Sequence, residues 1–176
     1  MTKSLSLSTF RLQIEDLCKN PQELVVTEQG QPLFTLLPYE MYQSLLETLD
    51  IVADGEALAT LQENLAQLKA GHPMKVRMLT QCQGDYKVGL TDSTYQALQE
   101  MDAQSIQELT EGMKQLSQAP EKQGKALVGS LKGYRSIKLR ENTHQIIYFI
   151  ETKQVVVVFI HSTVVQPNAL LLHLLK

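Results

Sequence analysis

Only two cysteines and no tryptophan occur in the 176 residues, and aromatic side chains make up 6%. Cys18 and Cys82 stand far apart without CxxC spacing, which excludes a disulfide framework and a redox or zinc motif. They read as two unpaired thiols in a reducing cytoplasm. No run of 18 uncharged apolar residues exists, so no membrane span is expected. The N-terminus lacks a basic region followed by an apolar core and a small-residue cleavage site, so secretion is not expected. No Gly-rich phosphate loop, metal-ligand spacing or nucleophile elbow is present, and neither a cofactor nor a metal is expected.

A positive excess is missing too. Sixteen Lys and Arg stand against nineteen Asp and Glu, a net charge of −3, so bulk charge gives no drive toward nucleic acid. The balance is uneven along the chain, at −6 for residues 1–72 and +3 for residues 73–176. Opposite halves of this kind can attract, within one chain or between copies, although charge alone does not show that they do. A hydrophobic content of 43% with 20% charged residues supports folding, and the length suits one ordinary domain or two small ones.

In the first half, Leu5-Ser6-Leu7 alternates like a short strand. Ser8 then suits the N-cap of a helix with Phe10, Ile14, Leu17 and Cys18 on one face, stopped by Asn20-Pro21. Leu24–Glu28 and Leu33–Leu37 read as strands joined through Gln29-Gly30-Gln31, a hairpin signal. Pro38 opens a second helix carrying Met41, Tyr42, Leu45, Leu46 and Leu49 at three-to-four spacing. Asp54-Gly55 breaks and caps, and Leu58, Leu61, Leu65 and Leu68 form a stripe ending at Gly71.

Residues 72–85 read as a linker, in which Met74–Leu79 alternates enough to add an edge strand to one of two sheets. Tyr86–Leu90 reads as a strand, with Thr91 or Asp92 capping a helix through Met101. Ile106, Leu109, Met113 and Leu116 mark one face of the next helix, which Ala119-Pro120 ends. Three strands follow, over residues 135–140, 145–150 and 155–160, the last apolar enough to be central. In the first of them Ile137 and Leu139 point one way, and Ser136, Lys138 and Arg140 the other. Helices followed by a meander predict an α+β fold, with two helices packed on an antiparallel sheet.

The order β-α-β-β-α-α, with Val-Val-Thr-Glu-Gln-Gly-Gln-Pro-Leu and Leu-Pro-Tyr-Glu-Met-Tyr, resembles the Phd/YefM antitoxins over about residues 3–71. The series Leu127-x-Gly129, Gly133-Tyr-Arg-Ser-Ile-Lys-Leu-Arg140 and Ile146-Ile-Tyr148 resembles the RelE/ParE toxins over about 86–176. The resemblances divide the chain into an antitoxin-like dimerisation domain at 1–71, a linker at 72–85 and a RelE/ParE-like domain at 86–176. They imply a homodimer. They also imply, as partners, a related toxin or antitoxin, operator DNA reached by Arg11 and Lys3, or the ribosome. Glu28 stands where many relatives carry a DNA-contacting arginine, and it repels phosphate.

Active RelE-like ribonucleases array basic residues across the sheet to stabilise charge developing on the phosphorane, with a tyrosine near the C-terminus. Here Lys138 matches one family lysine, but Ser136 and Gln145 replace cations, and Gln166 and Leu172 fall near the places of a catalytic arginine and tyrosine. The catalytic candidates are therefore Lys138, Arg140 and His144, with His161 and Arg135 nearby in sequence. The resemblance implies a fusion whose RelE-like part is catalytically silent and acts as a binding or regulatory module. A self-restrained mRNA endoribonuclease and an operator-binding autoregulator are the alternatives. The apolar Ala169–Leu175 is expected to pack rather than hang free.

Overall fold

A computed structural model describes residues 3–69, 75–80, 82–139 and 143–162. Arg140, Gln166, Leu172 and the apolar 169–175 segment lie outside the described residues. The fold is α+β: a β-α-β-β-α-α module, then helices packed on a six-stranded, mostly antiparallel sheet. By packing the chain forms two compact units, Met1–Leu46 and Glu47–Lys176. Packing divides the chain inside a helix, at a different place from the division at 71 and 85 drawn from family resemblance.

In the first unit, β1 (Lys3–Ser6) lies parallel to β2 (Leu24–Glu28), which pairs antiparallel with β3 (Gln31–Leu36). Parallel neighbours need a crossover, and α1 (Leu7–Lys19) supplies it. The helix is capped by Ser6 rather than Ser8, because Ser6 is extended and its Oγ accepts from the Thr9 amide at 3.2 Å. Gln29 and Gly30 turn the hairpin with φ of 50° and 81°, the doubly left-handed geometry that matches strand twist. The expected apolar face of α1 is not buried: no α1 residue is buried, and Ile14 and Cys18 are exposed. Leu24 and Val26 are the buried apolar side chains of this unit, so its core is thin.

α2 (Tyr39–Ala53) begins after Pro38 and carries the chain from the first unit into the second. Asp54 then caps α3 (Gly55–Lys69), its Oδ1 accepting from the Ala57 amide at 3.0 Å. The second unit's sheet runs β4 (Val76–Met78), β5 (Lys87–Thr91), β9 (Gln154–Ser162), β8 (His144–Glu151), β7 (Arg135–Leu139) and β6 (Lys125–Ala126). β4 is the edge strand that the alternation at 74–79 suggested, paired antiparallel with β5. β9 is central, as its apolar run requires.

Both faces of this sheet are covered. On one, α4 (Asp92–Gln99) and α5 (Ala103–Gln115) bury Leu98, Leu109 and Met113 against Ile146, Tyr148, Val155 and Val157. Thr91 caps α4, accepting from the Thr94 amide. Pro120 opens a short α6 (Pro120–Gln123), and a 3-10 turn at Gly129–Leu131 leads into β7. On the other face, Ile51 of α2 and Ala57, Leu61 and Leu65 of α3 pack on Leu127, Leu131, Ile147, Val156, Val158 and Phe159. Fully burying Ile51, Leu61 and Leu65 contributes roughly 1.5–3 kcal/mol each.

A β-bulge in β9 sets which side chains meet α2. Ile147 pairs with Phe159 but Tyr148 pairs with Val157, leaving Val158 as the extra residue. The bulge shifts the alternation, so that Val158 and Phe159 both join the cluster under α3. The carbonyl of Val158 accepts instead from Asn64 Nδ2 of α3 at 3.1 Å.

Candidate functional site

The site lies where the last turns of α2 cross β7, β8 and β9, wholly within the second unit. Cross-strand register places Ser136, Lys138, Gln145 and His161 on one sheet face: Lys138 pairs with Gln145, and Gln145 with His161. Residues two apart on a strand share a face, which adds Ser136 to Lys138. α2 brings Glu47, Asp50 and Asp54, spaced i, i+3 and i+7 on one side of the helix and its C-terminal cap.

The two sets meet group for group. Ser136 Oγ donates to Glu47 Oε1 at 2.6 Å, and Gln145 Nε2 donates to the same oxygen at 2.9 Å. Gln145 Nε2 also lies 3.0 Å from Ser136 Oγ. Lys138 Nζ stands 3.4 Å from Glu47 Oε2 and 2.9 Å from Asp50 Oδ2. His161 Nε2 is 3.1 Å from Asp54 Oδ2, and its ring stacks on Phe159. Alongside, the Val128 amide donates to Thr48 Oγ1 at 3.0 Å.

Burial makes this network consequential. Only 8% of the Glu47 side chain is exposed, and Ser136 and Gln145 are buried as well. A carboxylate in that environment survives only with hydrogen-bond donors and a cation around it, and all three are supplied. For Lys138, burial pulls the ammonium pKa down, but the hydrogen bond to Asp50 and the fields of Glu47 and Asp50 outweigh it. The result is a lysine held above its ordinary 10.5. The arrangement neutralises the cation of this face with the chain's own carboxylates.

Of the catalytic candidates, Lys138 alone stands in this network, while Arg140 lies outside the described residues. His144 is on the opposite face, since it pairs with Leu139 rather than Lys138. There its Nδ1 is 3.2 Å from Ser162 Oγ and its Nε2 3.7 Å from Glu108 Oε2 of α5. Arg135 also faces away from Lys138, donating to the Gly124 carbonyl beside Tyr148, whose hydroxyl donates to Pro120 O at 2.7 Å. The histidine that shares Lys138's face is His161. Glu47, Asp50 and Asp54 carry no site role in the sequence reading; their i, i+3 and i+7 spacing along α2 and its C-terminal cap is the available signal. Arg11 and Lys3, the candidate DNA contacts, are exposed in the first unit, and Glu28 is exposed beside the hairpin turn. No helix among the described residues is long and apolar enough to cross a membrane.

No protein-family model and no curated protein matches this chain. Among solved structures, the chain is similar to the RelBE2 toxin–antitoxin complex of Mycobacterium tuberculosis. The identity is 24% and the TM-score 0.41, over 45% of this chain and 99% of the matched one.

Proposed function

We propose that the chain is a toxin–antitoxin-derived fusion, dimeric through its antitoxin-like residues 1–71, whose RelE-like part, residues 86–176, is catalytically silent and acts as a binding and regulatory module. The observation that carries this reading is the covered sheet face. Lys138, the one cation there that matches a RelE lysine, is engaged by Glu47 and Asp50, and Ser136 and Gln145 fill the places of further cations with neutral donors. Catalysis on an RNA phosphate needs positive charge presented to the developing phosphorane, and here that charge is already matched. α3 adds an apolar cover over the adjoining Ile147, Val158 and Phe159. The test is inducible expression of the full chain, with growth and ribosome-associated mRNA ends followed over time. No arrest and no new ends are expected. Arrest with cleavage on ribosomes, lost on Lys138→Ala, would establish the endoribonuclease reading instead.

The dimer part rests on a separate observation. Tyr39, Tyr42, Leu46 and Leu49 follow one another at i, i+3, i+7 and i+10 along α2, and all are at least 40% exposed. Leu12, Ile14, Leu33 and Phe34 add further exposed apolar surface on α1 and β3, above a core of few buried residues. Exposed apolar side chains at helical spacing mark a contact surface, and a second copy is the reading the family resemblance supplies. Sedimentation at tens of micromolar, about the Kd of a weak interface, should report a dimer. Leu46→Glu should convert it to a monomer with little loss of fold, because Leu46 is 40% exposed already. A wild-type chain that sediments as a monomer would remove this element of the proposal.

A further inference from the structure

We propose that Ser162 is a base-activated nucleophile that takes an acyl group from an activated carboxylic ester, with His144 as its base and Glu108 positioning the ring. The site lies on the sheet face opposite Lys138, so it goes beyond the silence proposed for RNA cleavage and is independent of it. Three distant stretches of chain build it: α5, the first residue of β8 and the last of β9. His144 and Ser162 stand directly across from each other in the β8–β9 register, and Ser162 Oγ lies 3.2 Å from His144 Nδ1. On the far side of the ring, Nε2 lies 3.7 Å from Glu108 Oε2. Two residues further in on these strands are Ile146 and Ile160, both buried in the cluster under α4 and α5. The three polar groups thus form a rim on an apolar core.

The surroundings decide what the ring does. Only 8% of the His144 side chain is exposed, whereas Ser162 is open to solvent. A neutral imidazole carries its proton on one nitrogen. On Nε2 that proton faces the Glu108 carboxylate; on Nδ1 it would leave the Nε2 lone pair against a negative oxygen. The Nε2–H tautomer is therefore favoured, and Nδ1 is left to accept from the Ser162 hydroxyl. In the reaction, Ser162 Oγ bonds to the acyl carbon while its proton passes to Nδ1, and the bond from that carbon to the leaving oxygen breaks. Glu108 stabilises the imidazolium formed in between, and the proton departs with the leaving oxygen or into water. A positioned base contributes about 10²–10⁴-fold, so the ester must bring a good leaving group of its own. The serine alkoxide is a far poorer leaving group than a phenolate, so the acyl group accumulates on Ser162.

The full chain is incubated with p-nitrophenyl acetate, and acetyl groups are located by peptide mass spectrometry. Wild type should gain an acetyl group on Ser162, at a rate that rises with pH as the imidazole gives up its proton, and Ser162→Ala should gain none there. His144→Gln should slow the reaction by about 10²-fold. Glu108→Gln should move the pH profile toward lower pH, because without the carboxylate the imidazole deprotonates more readily; a Glu108 that merely packs would leave the profile in place. A change at buried His144 can disturb the fold, so Ser162→Cys supplies a second reading with the ring intact. The introduced thiol should react with iodoacetamide at about pH 6 roughly tenfold or more faster than the exposed Cys18 of the same chain. Acetylation confined to lysines, or an introduced thiol no more reactive than Cys18, overturns the proposal. So does a His144→Gln chain with native near-ultraviolet circular dichroism that is acetylated on Ser162 at the wild-type rate.

Discussion

Glu47→Ala is expected to destabilise the second unit by about 3–5 kcal/mol, the range found when one partner of a buried, hydrogen-bonded charge pair is removed. The loss has three parts. Ser136 and Gln145 keep their mutual contact but lose the acceptor they share, and Lys138 is left with Asp50 alone. Glu47→Gln should cost less, about 1–3 kcal/mol, because an amide still accepts from Ser136 or Gln145 while giving up the charge. Urea unfolding at pH 7 measures both. The pH dependence carries its own sign. Lys138 has a pKa raised above 10.5 in the folded chain, so its contribution is complete below that value and disappears as pH rises through the higher folded one. The wild-type chain should therefore lose stability above about pH 10.5 more steeply than Lys138→Met. A Glu47→Ala chain as stable as wild type would mean that the network merely decorates an apolar contact.

Cutting the chain at residue 72 should have the larger effect. A fragment of residues 73–176 retains the sheet but loses Ile51, Ala57, Leu61 and Leu65, which pack on Leu127, Ile147, Val156, Val158 and Phe159. At roughly 1.5–3 kcal/mol for each large buried side chain, this loss rivals the ~5–15 kcal/mol that holds a whole domain together. The bared face is β-rich and apolar, a surface prone to aggregate. We expect residues 73–176 to be insoluble or to unfold without a cooperative transition, and residues 47–176 to unfold cooperatively. Near-ultraviolet circular dichroism and thermal scans of the two fragments separate these outcomes. Equal, cooperative unfolding of both would show α2 and α3 to be a dispensable cover. Growth arrest on expressing 73–176 would also need this control, because a misfolded fragment is toxic without any chemistry.

Much of the local architecture is written in the chain order. The Gln29-Gly30 turn, the Asp54 cap, the apolar face of α5 and the central β9 all follow from period, capping chemistry and turn residues, which act over a few positions. The alternation that separates Ser136 and Lys138 from Ile137 and Leu139 is of the same kind. Three things required the tertiary structure. The boundary between compact units lies inside α2, because a helix reads as continuous whatever its two halves pack against. The partnership of Glu47 with Ser136 and Gln145 spans 89 and 98 positions of sequence, beyond the reach of any local pattern. The exchange of His144 for His161 on Lys138's face came from strand register and the bulge at Val158, which flips alternation by one residue and leaves no mark in composition. The sequence determined the elements and the charge each carried; the fold alone decided which charges met, because long-range pairing is fixed by packing rather than by local preference.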